Sequence, residues 1–322
     1  MIRAFLISIF AFSLLSSLPA SAKEREVYDE SISSTRDFSL FGGPSKKGPE
    51  YEWKLVNEYI SKNKLKKAIK HAGYITKAWP DHALAVDAQR MIGDLQFSRE
   101  EYAKAFEAYQ GLIDNYVGSF NYEEILDLQL ECARRTQYYE YKSFFGLTSY
   151  TDPIEAVPLY RQLLTNAPHM DAAPQILFDL GTIYLQEGQQ LNAIQEFNLL
   201  EQRYPDSPLS EKSVIRKADA FAKLSKRNPT DIRPIEGELE TLNHFISVYP
   251  DSDNIQEIRI RRKNVYEQVA GVHFELGNFY EKNLRRPDAA LVTYRSLLEQ
   301  FPDSEWTVPA KERILALSQK EN

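Results

Sequence analysis

Residues 175–207 read QILFDLGTIYLQEGQQLNAIQEFNLLEQRYPDS, and this stretch decides the fold. Its apolar and small residues recur three, four and seven positions apart, which is the spacing of one face of an α-helix. They are Leu177, Leu180, Gly181 and Tyr184 in the first half and Ala193, Phe197 and Leu200 in the second. Pro205 ends the second half, because a proline disfavours the α conformation of the residue before it. The stretch therefore predicts two consecutive helices whose small residues let them approach closely.

The last four residues of this stretch, an aromatic residue followed by Pro-Asp-Ser, recur along the chain. Full copies are Tyr204–Ser207, Tyr249–Ser252 and Phe301–Ser304, and weaker copies are Trp79–His82 and Ala167–Met170. The proline stops one helix, and the Asp or Ser side chain offers an acceptor to the free N–H groups of the next. Each copy therefore predicts a helix end followed by a helix start.

Small residues lie at a fixed distance from these prolines. An alanine precedes the proline by twelve residues at 68, 156, 193 and 290, and residue 105 holds the same place before Val117. The positions predicted to pack the helices together are Ala68, Gly93, Ala105, Ala156, Gly181, Tyr184, Ala193, Phe197, Pro205, Gly277, Ala290 and Pro302. Counting the apolar positions beside them, up to seven positions agree within one copy. This pattern resembles the tetratricopeptide repeat, whose period is about 34 residues.

The fold class expected is all-α, a tetratricopeptide-like superhelix of about six helix pairs plus a C-terminal capping helix. The helix pairs are predicted at residues 50–82, 83–117, 118–170, 171–207, 208–252 and 253–304, with the cap near 308–319. The organisation expected is a signal peptide (1–22), a flexible linker (23–48), N-terminal helical repeats (49–170) and C-terminal helical repeats with the cap (171–322).

The first residues have the pattern of a secretory signal. Arg3 supplies the positive charge, residues 5–18 form an uncharged apolar run, and Ala20-Ser21-Ala22 is an A-x-A cleavage site. We expect cleavage after Ala22 and export to the periplasm. No cysteine lies near Ala22, so a lipidated cleavage site is not expected there.

Composition argues against several classes of function. The net charge is −7, and an acidic surface repels phosphate backbones, so nucleic acid is not an expected partner. The five histidines have no metal-ligand spacing, and no catalytic motif is found, so we expect no metal, no cofactor and no enzymatic activity. The single Cys132 has no second cysteine to pair with and is expected to be a small buried residue.

A binding groove is predicted from geometry, because the first helix of each pair lines the concave side of such arrays. The positions projected onto that side are Trp53, Asn57, Arg90, Asp94, Phe97, Phe178, Thr182, Leu185, Phe274 and Asn278. Aromatic side chains beside amides suit an extended peptide, since amides bond its backbone and aromatics contact its side chains. The alternative interpretation is that several of these aromatics belong to the core between repeats.

Arg259, Arg261, Arg262 and Lys263 form a basic cluster in this acidic chain. The cluster is interpreted as a docking patch for a partner protein or as a solvated helix face.

Residues 50–320 resemble the family of the outer-membrane protein assembly factor BamD, most closely over Ala156–Pro205 and Gly277–Pro302. The resemblance implies a scaffold at the inner face of the outer membrane that helps to insert β-barrel proteins. It implies contacts with nascent barrel proteins through the N-terminal repeats and with the barrel-forming insertase through the C-terminal ones.

The chain departs from this family at two points. The cleavage-site cysteine of the family is absent at Ala22-Lys23, so peripheral contact with the outer membrane is the most that is expected. The family commonly has five repeats, whereas six helix pairs are predicted. The alternative function is a periplasmic coordinator of cell division and the envelope, resembling CpoB.

Overall fold

A computed structural model describes residues 43–142, 149–228 and 231–319. The predicted signal peptide and the linker up to residue 42 lie outside the described residues. The α-helices are α1 (Pro49–Ser61), α2 (Leu65–Ala78), α3 (Ala83–Ser98), α4 (Tyr102–Asn115), α5 (Tyr122–Gln137), α6 (Val157–Asn166), α7 (Ala173–Gln186), α8 (Gln190–Arg203), α9 (Pro208–Arg227), α10 (Arg233–Val248), α11 (Ile255–Asn278), α12 (Pro287–Gln300) and α13 (Thr307–Ser318). The all-α, tetratricopeptide-like class is confirmed, with six helix pairs and a final helix within the described residues.

Two short strands, a 3₁₀ turn and a π-helical turn lie between the helices. Strands β1 (Glu140–Lys142) and β2 (Ser149–Thr151) pair in antiparallel register, with Tyr141 opposite Tyr150. A 3₁₀ turn (Pro153–Ala156) leads into α6, and a π-helical turn (Phe279–Asn283) extends α11. The third helix pair is thus longer than its neighbours because a hairpin lies between its two helices.

The proline-containing marker ends the second helix of its pair each time. Tyr204, Tyr249 and Phe301 leave the helical conformation, and each amide still donates to the carbonyl four residues earlier. Ser207 then caps α9, since its hydroxyl accepts from the Leu209 amide at 3.2 Å. The marker therefore ends one helix and, at Ser207, begins the next, as residue chemistry predicts.

The chain forms two compact units. The first comprises the described residues up to Ser98 together with Gly111–Phe120. In it α1 packs on α2 and α2 on α3 around a core that includes Val56, Ala68 and Ile75. Buried Glu52 accepts from the His71 ring, with 2.5 Å between Oε2 and Nδ1, so this core also contains a polar contact.

The second unit comprises Arg99–Gln110 and the described residues from Asn121 onward. From α6 to α13 each helix packs against the next, and α7 also contacts α9. Glycines make these contacts close: a Cβ on Gly181 would lie 2.5 Å from the Phe197 ring. A Cβ on Gly277 would likewise lie too close to the Tyr294 ring. At the end of the unit Trp306 packs on Gly271, and α13 covers the core of α12.

Candidate functional site

A cleft of about 620 Å³ lies in the second unit between α9 and α11, with residues of α7 and α10 at its base. We call it the α9–α11 cleft. Its floor is apolar: Leu185 and Val265 are each 5% exposed, and Ile235 is partly buried. Ile260, at the edge of the cleft, is 65% exposed. A polypeptide in the cleft would mainly remove the exposed surface of Ile260 from water, since Leu185 and Val265 are already almost buried. Burial of apolar surface favours binding by about 25 cal/mol per Å².

The walls of the cleft carry charge. Lys223 and Lys226 lie on the α9 wall, are exposed, and form no ion pair with any residue that the structure describes. Arg216, on the same wall, lies 3.6 Å from the Asp219 carboxylate. Glu257 lies on the α11 wall. The cleft therefore offers two unpaired ammonium groups above an apolar floor.

Arg261 holds the helices of the cleft together. Its Nη1 donates to Asp219 of α9 at 2.7 Å, and its Nε donates to Glu238 of α10 at 2.8 Å. Burial acts against the charged guanidinium, but the hydrogen bonds to Asp219 and Glu238 outweigh it and raise the pKa of Arg261. One side chain of α11 thus links three helices.

The rest of the predicted basic patch lies elsewhere on α11. Arg262 donates to the Asn243 side chain at 2.9 Å, and its guanidinium lies 4.6 Å from the centroid of the Tyr266 ring. Arg259 and Lys263 are exposed, and with Arg262 they line a separate depression of about 440 Å³. The four residues are therefore divided between two faces of the helix.

The groove positions predicted in the second unit have different surroundings. Leu185 lines the α9–α11 cleft. Phe178 is half-buried with its ring 5.9 Å from Phe197. Thr182 is also half-buried, and its hydroxyl has no hydrogen-bond partner among the described residues.

The two groove positions predicted on α11 lie beside α12. Phe274 is 9% exposed, between Tyr294 and Trp306. Asn278 accepts from the Tyr294 hydroxyl at 3.0 Å.

The groove positions predicted in the first unit are mostly in contact with their own helices. Trp53 packs against the core of α1–α3. Asn57 is exposed, and its amide donates to the Trp53 carbonyl at 3.1 Å. Arg90 and Asp94 form an ion pair at 3.2 Å, and Phe97 is half-buried.

Most of the positions predicted to pack helices are buried. The fully buried ones are Ala68, Ala105, Ala156, Ala193, Phe197 and Ala290, each 0% exposed. Gly93, Gly181 and Gly277 are also buried, and Tyr184 is half-buried. Pro205 and Pro302 are exposed, which is consistent with ending helices rather than filling the core.

A second depression, of about 820 Å³, lies beside β1. Tyr139 contacts Tyr102 and Tyr141 edge to face, at centroid distances of 5.9 and 4.9 Å. The Tyr141 hydroxyl donates to Glu155, and this hydrogen bond raises the pKa of Tyr141 to about 12. Three of the tyrosines that line this depression, Tyr102, Tyr139 and Tyr141, are therefore in contact, with Tyr139 between the other two.

No group of three or more His, Cys, Asp or Glu side chains in the described residues is arranged to hold a metal ion. None of the described helices combines the length and apolarity that a bilayer crossing requires.

Comparison with known proteins finds similarity in two parts of the chain. Residues 170–320 match the family described as "YfiO: Outer membrane lipoprotein", and residues 54–119 match a tetratricopeptide repeat family. Over 161 residues the chain is 22% identical to the outer membrane protein assembly factor BamD of Caulobacter vibrioides. That alignment covers 50% of this chain and 52% of the relative, so the chain spans about half the length of the curated relative it matches.

Solved tetratricopeptide proteins superpose only loosely. YrrB, described as a TPR protein with an unusual peptide-binding site, is 16% identical with a TM-score of 0.31, over 67% of this chain and 93% of its own. A repeat protein from Parabacteroides merdae is 15% identical with a TM-score of 0.28, over 84% and 98%. The chain is thus similar to BamD-type repeat proteins, and such repeats are protein-interaction scaffolds.

Proposed function

We propose that this protein is a non-enzymatic scaffold in the assembly and insertion of outer-membrane β-barrel proteins. It binds a segment of a partner or client polypeptide in the α9–α11 cleft. One observation carries the proposal: every residue that lines the cleft lies within the 170–320 region matched by the outer membrane lipoprotein family. The relative with which the chain aligns is itself named as an assembly factor.

The chemistry of the cleft supports a polypeptide ligand of defined character. The floor of Leu185, Ile235 and Val265 suits an apolar side chain, and Ile260 extends the apolar contact to the edge. Lys223 and Lys226 suit acidic side chains of the same segment, because neither has a partner of opposite charge among the described residues. The ligand is therefore an amphipathic segment with acidic residues along one side.

Of the predicted groove positions, only Leu185 lines the α9–α11 cleft among the described residues. Leu185 contributes to the cleft directly, whereas Thr182 lies one helical turn before it on α7. We propose Phe178 and Asn278 as contacts with a longer segment within the second unit, and the positions of the first unit as a separate contact surface of that unit. The basic residues Arg259, Arg262 and Lys263 form a second docking surface in this proposal, around their own depression.

The proposed location is the periplasm at the inner face of the outer membrane, after cleavage behind Ala22. The intact mass of the protein isolated from envelopes tests the cleavage. A mass that retains residues 1–22 contradicts it.

Site-specific crosslinking in intact envelopes tests the proposed function. A photoreactive amino acid is placed at Asn264, which is exposed and lines the cleft, and in a control at Val292 of α12, which is 67% exposed. We expect a crosslink from Asn264 to the barrel-forming insertase or to a nascent barrel protein, and none from Val292. Equal products from both positions, or a cell-wall synthesis protein as the main product at Asn264, would contradict the proposal.

A charge-reversal variant tests the ligand chemistry separately. Lys223→Glu with Lys226→Glu is expected to weaken the Asn264 crosslink about tenfold or more, because two attractive contacts become repulsive. The matched control is Lys212→Glu with Lys282→Glu, which makes the same charge change at two other exposed positions. An equal loss in both variants would show an effect of net charge alone.

A further inference from the structure

The outer face of α2 carries a row of lysines. Lys66, Lys67, Lys70 and Lys77 lie on the side of the helix opposite to buried Ala68, Ala72 and Ile75, and Lys64 lies at its amino end. We call these five residues the lysine face. All five side chains are exposed. From Lys66 to Lys77 the helix advances about 16 Å, so the positive charges extend along the helix axis.

The lysine face contrasts with the rest of the chain. Residues 62–77 contain six lysines and no aspartate or glutamate, whereas the whole chain has a net charge of −7. The chain has 46 acidic residues, yet none of them lies in this stretch. An ordinary solvated helix face carries both signs, so a run of one sign requires another explanation.

Ion pairing inside the protein does not explain these lysines. No residue that the structure describes forms an ion pair with any member of the lysine face, whereas Lys62, just outside it, pairs with Glu58 at 2.5 Å. The ammonium groups of Lys67 and Lys70 lie over the rings of Tyr59 and Tyr74, 5.5 and 5.6 Å from the centroids. Two of the positive charges therefore lie over half-buried tyrosine rings, and none is neutralised by a described carboxylate.

Helix stability does not explain them either. The amino end of a helix carries a partial positive charge, so acidic side chains stabilise it and basic ones destabilise it. The first turn of α2 has no acidic residue, and Lys66 and Lys67 occupy that turn behind Lys64. Lys64, Lys66 and Lys67 are thus placed where they oppose the helix dipole, whereas Lys77 lies in the last turn, where a cation is favourable. The helix dipole therefore does not explain the lysines at the amino end.

We propose that the lysine face binds the phosphate headgroups of an anionic lipid bilayer surface. Lysine is depleted in protein–protein interfaces, where arginine is the preferred cation. Clustered lysines, in contrast, bind anionic bilayers through additive electrostatic attraction, and tyrosines prefer the depth of the headgroups. A row of five lysines without arginine therefore favours a membrane surface over an acidic protein, whereas the α9–α11 cleft combines its two lysines with arginines and apolar side chains. This contact is separate from the proposed function, because the lysine face lies in the first unit and the α9–α11 cleft in the second.

Vesicle co-sedimentation of the full chain tests the proposal. We expect binding to phosphatidylcholine vesicles that contain about a third phosphatidylglycerol and weaker binding to phosphatidylcholine alone. Raising the salt from about 0.1 M to about 0.5 M is expected to release the protein, because the attraction is screened. The variant Lys66→Gln, Lys70→Gln, Lys77→Gln is expected to lower the partition coefficient at least about tenfold.

Two matched variants make the result decisive. Lys212→Gln, Lys282→Gln, Lys311→Gln removes the same charge from exposed positions elsewhere and is expected to bind within about twofold of the parent. Replacing Lys66, Lys70 and Lys77 by arginine keeps the charge and is expected to retain binding. All variants share the same amino-terminal sequence, so residues 5–18 cannot produce the difference.

Three results would overturn the proposal. One is equal binding to anionic and neutral vesicles. Another is equal loss of vesicle binding in the two glutamine variants. The last is capture of an acidic protein through the lysine face while anionic vesicles are left unbound, which would make the face a protein-docking surface.

Discussion

Single glycines set the distance between paired helices in this protein. Gly181 faces the Phe197 ring, Gly277 faces Tyr294, and Gly237 faces Phe221. In each pair the ring occupies the place that a Cβ would take. The aromatic side chain is thereby buried against backbone, as the 0% exposure of Phe197 and Tyr294 shows. A methyl group at the glycine would force the two helices apart or the ring out of its rotamer.

Gly181→Ala is expected to destabilise the protein, because its Cβ would lie 2.5 Å from the Phe197 ring. We expect a loss of about 1–3 kcal/mol in the free energy of unfolding, partly offset by the better helix propensity of alanine. Gly73→Ala is the matched control, since nothing lies within 4 Å of a Cβ there. It is expected to stabilise by up to about 1 kcal/mol. Denaturant unfolding measures both, and a stabilised Gly181→Ala would mean that the two helices are not in close contact.

Asp179 makes folding stability depend on pH. Its carboxylate accepts from the Gln175 amide at 2.8 Å, but burial raises the pKa of Asp179 despite this bond and the nearby Arg134. A carboxyl whose pKa is higher in the folded state destabilises that state when charged. This cost in folding free energy is absent below the pKa of the unfolded state. It grows as the pH rises through the pKa of the folded state.

Asp179→Asn is therefore expected to raise the melting temperature at pH 7 and to lose this advantage as the pH falls to the range in which Asp179 is protonated. Melting curves across that range measure the difference. A constant difference between parent and variant at all pH values would show that the charge of Asp179 is not the cause.

At the scale of elements, α11 shows how a helix separates residues that are neighbours in sequence. Arg261 points toward α9 and α10, whereas Arg259 and Arg262 line the depression on another side. Successive residues of a helix are rotated by about 100°, so a cluster of four cations cannot share one face. The predicted patch is divided for this reason.

Arg261→Ala is expected to cost about 1.5–3 kcal/mol of stability, since it leaves Glu238 without its charged donor and Asp219 with only the longer contact to Arg216. Glu238 is 6% exposed, so water replaces the lost bond poorly. Arg259→Ala on the same helix is expected to change stability by less than about 0.5 kcal/mol, because Arg259 is exposed. Equal effects in chemical denaturation would mean that Arg261 does not link the three helices.

In the molecule as a whole, the apolar face of the last repeat has to be covered from water. Ala310 and Leu317 of α13 are 0% and 5% exposed and pack in the cluster that contains Tyr294 and Leu297. Without α13 this surface would meet water. The last helix therefore acts as a cap for the second unit.

Removal of residues 307–322 is expected to lower the free energy of unfolding by about 2–5 kcal/mol and to promote aggregation. Leu315→Ala is the control, because Leu315 is 64% exposed on the same helix and should have almost no effect. Thermal unfolding and light scattering measure the two changes. A truncated chain that melts like the parent and stays monomeric would show that α13 is not a cap.

Local sequence signals predicted the helices well and the candidate site poorly. Proline ends and small-residue spacing located the helix pairs, but the Gly237–Phe221 contact was missed because the ring lies on α9 and the glycine on α10. This is the reverse of the pattern in the other repeats. Lys223 and Lys226 were also missed, since exposed lysines on a helix have no distinctive spacing.

Helix boundaries and apolar faces follow from the order of the residues, because they depend on dihedral preferences and on a period of 3.6 residues. What each face contacts depends on how the helices pack in three dimensions. Phe274 and Leu185 follow the same apolar pattern, yet one is enclosed between Tyr294 and Trp306 and the other lines a cleft. The difference arises from the spacing between neighbouring helices, which is set by side chains far apart in sequence.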